Sequence, residues 1–262
     1  MCRLLGYLGL PTRLDRILVE PEHSLVVQGY EPQEMTAGVV NADGFGLGWY
    51  ALDQDPDPFT YKSILPIWND VNLASLGRYI ISPCVLANVR SATPGIAVDL
   101  SNCQPFSHGQ LLGVHNGFVH NFRQTWYRPL RDRLDDPIYQ VIGGTTDSEH
   151  LFALLLQTWR TNPSLTLSEA LEKTLLLLVE LAQHHPTEFS ANFILSDGQQ
   201  LVASRFAHPN RAPSLYWLRN DATLPKAVAI ASEPFHSGDW IPCPERTVIT
   251  VDADLDLKIN TF

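Results

Sequence analysis

The chain has 262 residues, 45% of them hydrophobic, and a formal net charge of -10, so it is long enough to bury a large core and too apolar to stay disordered. The acidic balance argues against a nucleic-acid backbone as partner. No run approaches the roughly 18 apolar residues of a membrane span, and the opening MCRLLGYLGLP does not read as a secretory leader, so the expected compartment is the cytoplasm.

In chain order, residues 2–9 read as a short strand ending in glycine. Residues 22–36 are mixed and fit helix or loop. AGVVNADGFGLGWYAL (37–52) reads as strand, glycine turn, strand, with Asp43-Gly44 as the turn signal. DQDPDP (53–58) predicts a solvent-facing turn, after which YKSILPIW resumes an apolar pattern. CVLANVRSAT (84–93) is a strand closed by Pro94-Gly95, and GQLLGVHNGFV (109–119) is another, with Asn116-Gly117 marking a tight turn at its end. Residues 123–142 predict a loop with one irregular helix.

Thr146, followed by Glu149, has the capping-box spacing and predicts a helix over LFALLLQTW. A second helix spans 165–185 and stops before Pro186. SANFILSDGQQLVASRF (190–206) is a hairpin about Asp197-Gly198, and KAVAIASEPF and RTVITVDADL are further strands. Strands, then two adjacent helices, then more strands predict one domain over residues 2–262, with helices packed on two sheets. There is no Walker loop, and GFGLG lacks the strand-to-helix setting of a dinucleotide site.

The four cysteines, at 2, 84, 103 and 243, form no C-x-x-C pair, so no zinc or iron–sulfur site and no cofactor are expected. Cys2 is the notable one. If Met1 is removed, Cys2 carries a thiol and an α-amine, and the amine's ordinary pKa of about 7.7–8.0 suits it to take the thiol proton. Alone, a cysteine at position 2 is an ordinary small residue.

Three other segments bear on Cys2. Arg90 in NVRSAT could hold a carboxylate by its planar fork, with Thr93 adding a hydroxyl; alone, Arg90 reads as a surface ion pair. The Asn116 amide and the Gly117 N–H suit a developing oxyanion; alone, they read as a turn. Asp147 could accept from a substrate ammonium, or simply favour the positive end of its helix. Together these groups fit a small molecule with a free amino-acid end and an amide farther out, the layout of a γ-glutamyl amide.

The segments MCRLLGY, NADGFGLGWY (41–50), NVRSAT (88–93), NCQPF (102–106), HNGFVHN (115–121), TTDSE (145–149) and ASEPF (231–235) occur in this order along nearly the whole chain. In them the chain resembles the class II glutamine amidotransferases, a branch of the N-terminal nucleophile hydrolases. The resemblance implies an α+β fold, a four-layer αββα sandwich of two mainly antiparallel sheets, with Cys2 at the start of an inner strand. It implies that Arg90, Thr93 and Asp147 bind the γ-glutamyl group, and that Asn116 and Gly117 form the oxyanion hole.

The chain departs from the family pattern where Ser91 replaces a common Trp and Pro94 follows Thr93. It also stops at Phe262 without a fused synthase domain. Either a partner supplies the acceptor site or ammonia transfer is not the purpose; a homodimer and a synthase partner both stay open.

The opening MCRLLGYLG resembles most the ergothioneine-biosynthesis amidohydrolases. That likeness implies hydrolysis of γ-glutamyl-hercynylcysteine S-oxide to glutamate and hercynylcysteine S-oxide. The alternatives are a glutaminase subunit or stand-alone amidotransferase releasing ammonia from glutamine, and a binding protein with an inactive site. Asn41, Asp43, Gly44 and Phe45 are candidates for contact with the leaving group, and Trp126 or Tyr127 for its trimethylammonium by cation–π attraction, although Trp126 reads equally as a core or lid residue. Glu233 could support the N-terminus or Arg90. A Cys103–histidine dyad through His115 or His120 is a further alternative.

Overall fold

A computed structural model describes residues 2–93 and 95–262. The expected removal of Met1 and the turn at Pro94 lie outside the described residues. The strands are β1 (Arg3–Arg13), β2 (Phe45–Ala51), β3 (Asp55–Ser63), β4 (Ile81–Val89), β5 (Phe106–His108), β6 (Leu111–Val119) and β7 (Phe189–Ser196). They continue as β8 (Leu201–Arg205), β9 (Ala207–His208), β10 (Tyr216–Arg219), β11 (Ala227–Ala231), β12 (Ile241–Pro242), β13 (Thr247–Val251) and β14 (Leu257–Thr261). The α-helices are α1 (Asp15–Leu18), α2 (Leu25–Tyr30), α3 (Leu73–Tyr79), α4 (Phe122–Thr125), α5 (Tyr127–Arg131), α6 (Asp136–Tyr139), α7 (Asp147–Thr161) and α8 (Leu167–His184).

One sheet has the order β12-β10-β11-β1-β4-β2-β3, the other β14-β13-β8-β7-β6-β5 with β9 beside β7, and the paired strands run antiparallel. Period-two alternation sorts the side chains into layers. Leu4 and Leu8 of β1 meet Leu86, Leu112, Val114 and Ile194 between the sheets. Leu5 and Tyr7 point the other way, toward Phe45, Val85, Ala87 and the helix residues Ile17, Leu18, Leu25 and Leu73. On the far side of the second sheet, Ala191, Phe193 and Leu195 of β7 pack under Leu151, Leu155, Leu171 and Leu178 of α7 and α8. The result is the αββα sandwich the resemblance implies.

Several local expectations change. β1 continues past Gly9 to Arg13, because its ladder with β4 shifts between Leu8 and Thr12 and resumes at Thr12 opposite Ser82; the irregularity accommodates Pro11, which has no N–H to offer. Residues 37–44 form no strand, since Asp43 and Gly44 bond to Arg90 rather than across a hairpin. The Pro-rich run 55–58 belongs to β3, an edge strand where proline is tolerated. Asn116-Gly117 is not a turn: β6 runs straight through it, paired with Asn192 and Ala191. Residues 122–139 hold three short helices instead of one. α8 has the full capping box at Thr166 and Glu169. α7 has half of one: Thr146 accepts from the Glu149 N–H, while the Glu149 carboxylate turns to the N–H groups of Gly143 and Gly144.

Candidate active site

Arg3 pairs with Val89, so the next step of the ladder sets Cys2 beside Arg90. Cys2 is half-buried and packs with Leu4 into the layer between the sheets. Arg90 is held from both sides of its peptide: its N–H donates to the Gly44 carbonyl at 2.8 Å, and its carbonyl accepts from the Asp43 N–H at 3.0 Å. The residue is 4% exposed, and its guanidinium donates to the Asp43 carbonyl at 3.2 Å. No carboxylate pairs with it among the described residues. The Asp43 carboxylate accepts from the Ala92 N–H at 2.8 Å, which fixes the loop after Arg90.

The opposite sheet contributes β6. Asn116 alternates with Leu112 and Val114 and therefore faces the inter-sheet layer. It is fully buried, and neither end of its amide has a partner. On the free edge of β6 the Gln104 side-chain amide pairs with both backbone groups of His115. Two rungs on, the Val119 N–H donates to the Asp147 carboxylate at 2.7 Å. Alternation turns the Gly117 N–H to that same edge, between the two capped positions. A β-carbon at residue 117 would collide with the Ser190 carbonyl and the His115 ring. Glycine is there for close approach.

Asp147 opens α7, is 8% exposed, accepts from the Ser148 N–H at 2.8 Å and has no cationic partner among the described residues. The loop before β5 lies between these groups. Asn102 accepts from the Thr145 N–H at 2.9 Å. Cys103 is a close electrostatic neighbour of Arg90 and Cys2. A buried guanidinium and a buried carboxylate, both without a counter-charge, are suited to an amino acid's carboxylate and ammonium.

Among the described residues no histidine pairs with Cys103. Its thiol bonds to the carbonyls of Ser63 and Asp99, and burial pushes its pKa up, partly offset by the charges of Arg90 and Lys62. The His115 ring donates from Nε2 to the Ser190 carbonyl and accepts at Nδ1 from Ser148, and burial pushes its pKa down, so it is neutral. Of the aromatic candidates, Trp126 takes its alternative place in the core. Trp126 is fully buried, bonded to the His185 carbonyl and packed on Phe189, and one face of Tyr127 is covered by the Arg131 guanidinium at 4.3 Å. Phe45 belongs to the outer core.

Asn41 is buried and donates to the Gln28 carbonyl at 3.0 Å, tying the loop before β2 to α2. Thr93 lies exposed in the loop after Arg90.

Two features escaped the reading of the sequence. Arg3, fully buried, donates from Nε to the Cys2 carbonyl at 2.7 Å and from Nη1 to Glu233 at 2.8 Å. Glu233 also takes His23 and the N–H groups of Gln33 and Glu34. It therefore supports the N-terminal strand, and not Arg90. Burial pushes its carboxyl up, but those hydrogen bonds and the Arg3 charge more than offset this and leave it below the usual range. Asn88, like Asn116, is buried with both ends of its amide unpartnered. Among the described residues no helix is long and apolar enough to cross a membrane, and no cluster of His, Cys, Asp or Glu could hold a metal.

Two facing antiparallel sheets flanked by helices, with a cysteine at the head of an inner strand, define an N-terminal-nucleophile type of hydrolase. A solved glutamine aminotransferase class-II domain protein from Silicibacter pomeroyi covers 100% of this chain with a TM-score of 0.70 at 24% identity, over 99% of its own length. The phosphoribosylpyrophosphate amidotransferase of B. subtilis matches 99% of this chain with 49% of its own, at a TM-score of 0.67 and 16% identity. The family model of class-II glutamine amidotransferases matches residues 1–221, and the chain belongs to that family.

A γ-glutamyl-hercynylcysteine sulfoxide hydrolase of Mycolicibacterium smegmatis is 31% identical over 96% of both chains. The Saccharomyces cerevisiae protein named "Probable glutamine amidotransferase DUG3" is 30% identical over 96% of this chain and 82% of its own. The protein is an enzyme of the cysteine-nucleophile, γ-glutamyl-amide-hydrolysing type.

Proposed function

We propose that residues 2–262 act as one catalytic unit in the cytoplasm and that Cys2, freed of Met1, is the nucleophile. The observation that carries this reading is a pair of buried charges with no counter-charge among the described residues, Arg90 beside Cys2 on one sheet and Asp147 bonded to β6, the strand of Asn116, on the other. Arg90, with Thr93 beside it, takes the substrate α-carboxylate and Asp147 the α-ammonium. Asn41 and Asp43 shape the approach, by holding the loop before β2 and the loop after Arg90. The thiol gives its proton to the α-amine and sulfur attacks the γ-carbonyl carbon. The Gly117 N–H and the Asn116 Nδ2 hold the oxyanion. The leaving amine takes the proton as the C–N bond breaks, and water then cleaves the thioester to release glutamate.

The substrate we assign is γ-glutamyl-hercynylcysteine S-oxide. The support is the mycobacterial-type relative, which matches end to end. Glutamine is the second reading, and the similarity to the yeast protein favours it to a comparable degree. Glutamate release from the two compounds at equal concentration, with the N-terminus checked by mass, separates them. Strong preference for the conjugate is the expected result, and preference for glutamine moves the function to ammonia supply. Activity retained by Cys2→Ala would overturn the mechanism.

A further inference from the structure

Asn88 and Asn116 stand out because both ends of each buried side-chain amide lack a partner. Leaving such a group unsatisfied is costly, so native interiors do so where a ligand, a water or a reacting group completes the set. Asn116 has its use in the oxyanion site. Asn88 has none in that scheme.

Its position is specific. It is the last inward-facing residue of β4, in step with Cys84 and Leu86, which lie between the sheets. It pairs with Leu4 on one side and Gly46 on the other. The backbone of Leu4 bonds to Ser232, away from β4. The Leu4/Asn88 rung is therefore the non-hydrogen-bonded kind, in which facing side chains come closest. Cys2/Arg90 is the next rung of that kind. Right-handed twist then draws Asn88 and Cys2 together as diagonal neighbours on the inner face. The carbonyl of Gln104 fills the space over Gly46, which closes the other side of Asn88.

We propose that Asn88 is a further residue of the reaction: its side-chain amide donates a hydrogen bond to the Cys2 sulfur and holds it while it carries negative charge. Among the described residues no group ties either end of the amide, so Nδ2 is free to turn to the sulfur. The thiol proton still goes to the α-amine; Asn88 gives up no proton. This rests on Cys2 as nucleophile.

The test follows Cys2 by its own chemistry. Iodoacetamide alkylation of the N-terminal peptide is timed by mass across pH 5–10, which leaves Cys103 out of the count. In Asn88→Ala and Asn88→Ser the alkylation midpoint moves to higher pH and the rate at neutral pH falls about fivefold. kcat for glutamate release falls about tenfold, with KM within about twofold, as loss of a charge-assisted hydrogen bond requires. Asn88→Asp keeps the volume, replaces the donor by an acceptor and is slower still. A role in packing alone would lower the unfolding midpoint without moving the alkylation midpoint. Folded variants with the wild-type alkylation profile and kcat overturn the assignment. If alkylated wild-type protein still releases glutamate, the nucleophile assignment fails instead, so the two failures are distinguishable.

Discussion

Gly117 has two constraints on one residue. Its missing side chain lets the Ser190 carbonyl and the His115 ring close in, and its N–H looks out of a strand edge whose neighbouring positions are already capped. Gly117→Ala should push β6 away from β7 and lower kcat by about a hundredfold, the scale of a lost oxyanion donor. Glutamate release with circular dichroism as a folding control checks this, and an active, folded Gly117→Ala excludes the site. Arg90 tests the carboxylate assignment. Arg90→Lys keeps the charge but loses the planar fork, so kcat/KM should fall at least about tenfold, or about 1.4 kcal/mol of transition-state binding. An unchanged kcat/KM takes Arg90 out of the site. Cys2, Arg90, Asn116, Gly117 and Asp147 could be proposed from the sequence only because their segments occur together; each alone has an ordinary reading. Arg3 and Asn88 could not, because a buried arginine or asparagine in a strand shows its role only through partners, or their absence, far along the chain.

The elements that were legible carry their signals within a few residues. The apolar helical pattern of 165–185 marks α8, and the fold shows that a Thr166–Glu169 box starts it. Thr166→Ala should cost about 1 kcal/mol in urea unfolding and leave kcat/KM unchanged, since the cap does not touch the site. Two of the misread elements share one cause. Asn116-Gly117 and Asp43-Gly44 have turn composition, but the first meets a close neighbour within a strand and the second binds the backbone of Arg90. Composition alone does not separate a glycine needed for its backbone angles from one needed for space. β1 shows the opposite limit, because its head is set by a partner 230 positions away. Glu233→Gln keeps the shape and leaves the Arg3 charge buried without a counter-ion, which should cost about 3–5 kcal/mol. It should also lower kcat, as the Cys2 carbonyl loses its anchored donor. Urea titration together with glutamate release checks both, and wild-type stability in the variant would show that the pair does not anchor β1.

At the scale of the whole molecule the order strands, helices, strands already implied two sheets and a helical layer, while the contacts that close the layers come from residues without local signals. Two buried histidines make that closure sensitive to acid. His150 on α7 donates from Nδ1 to the Thr146 carbonyl at 2.7 Å and accepts at Nε2 from Arg131 at 2.9 Å, so it must be neutral. Burial, with Arg131 adding to it, pushes its pKa down to about 4 despite the Thr146 bond. The shift at His115 has the same direction. A depressed histidine pKa means that the unfolded chain binds more protons below about pH 6.5, so stability is full above that pH and falls as the pH drops toward 4. For His150 alone the loss approaches about 3 kcal/mol at the acid end. Glu233 titrates in a lower window, because its contribution fades only below the ordinary glutamate range. Melting curves from pH 7.5 to 4 should therefore show a decline that begins near 6.5, and His150→Gln, which carries no titrating ring, should flatten it. A wild-type profile that stays level down to pH 5 would mean that both rings accept protons in the folded state, and the layer between α7 and β6 would then be open to water.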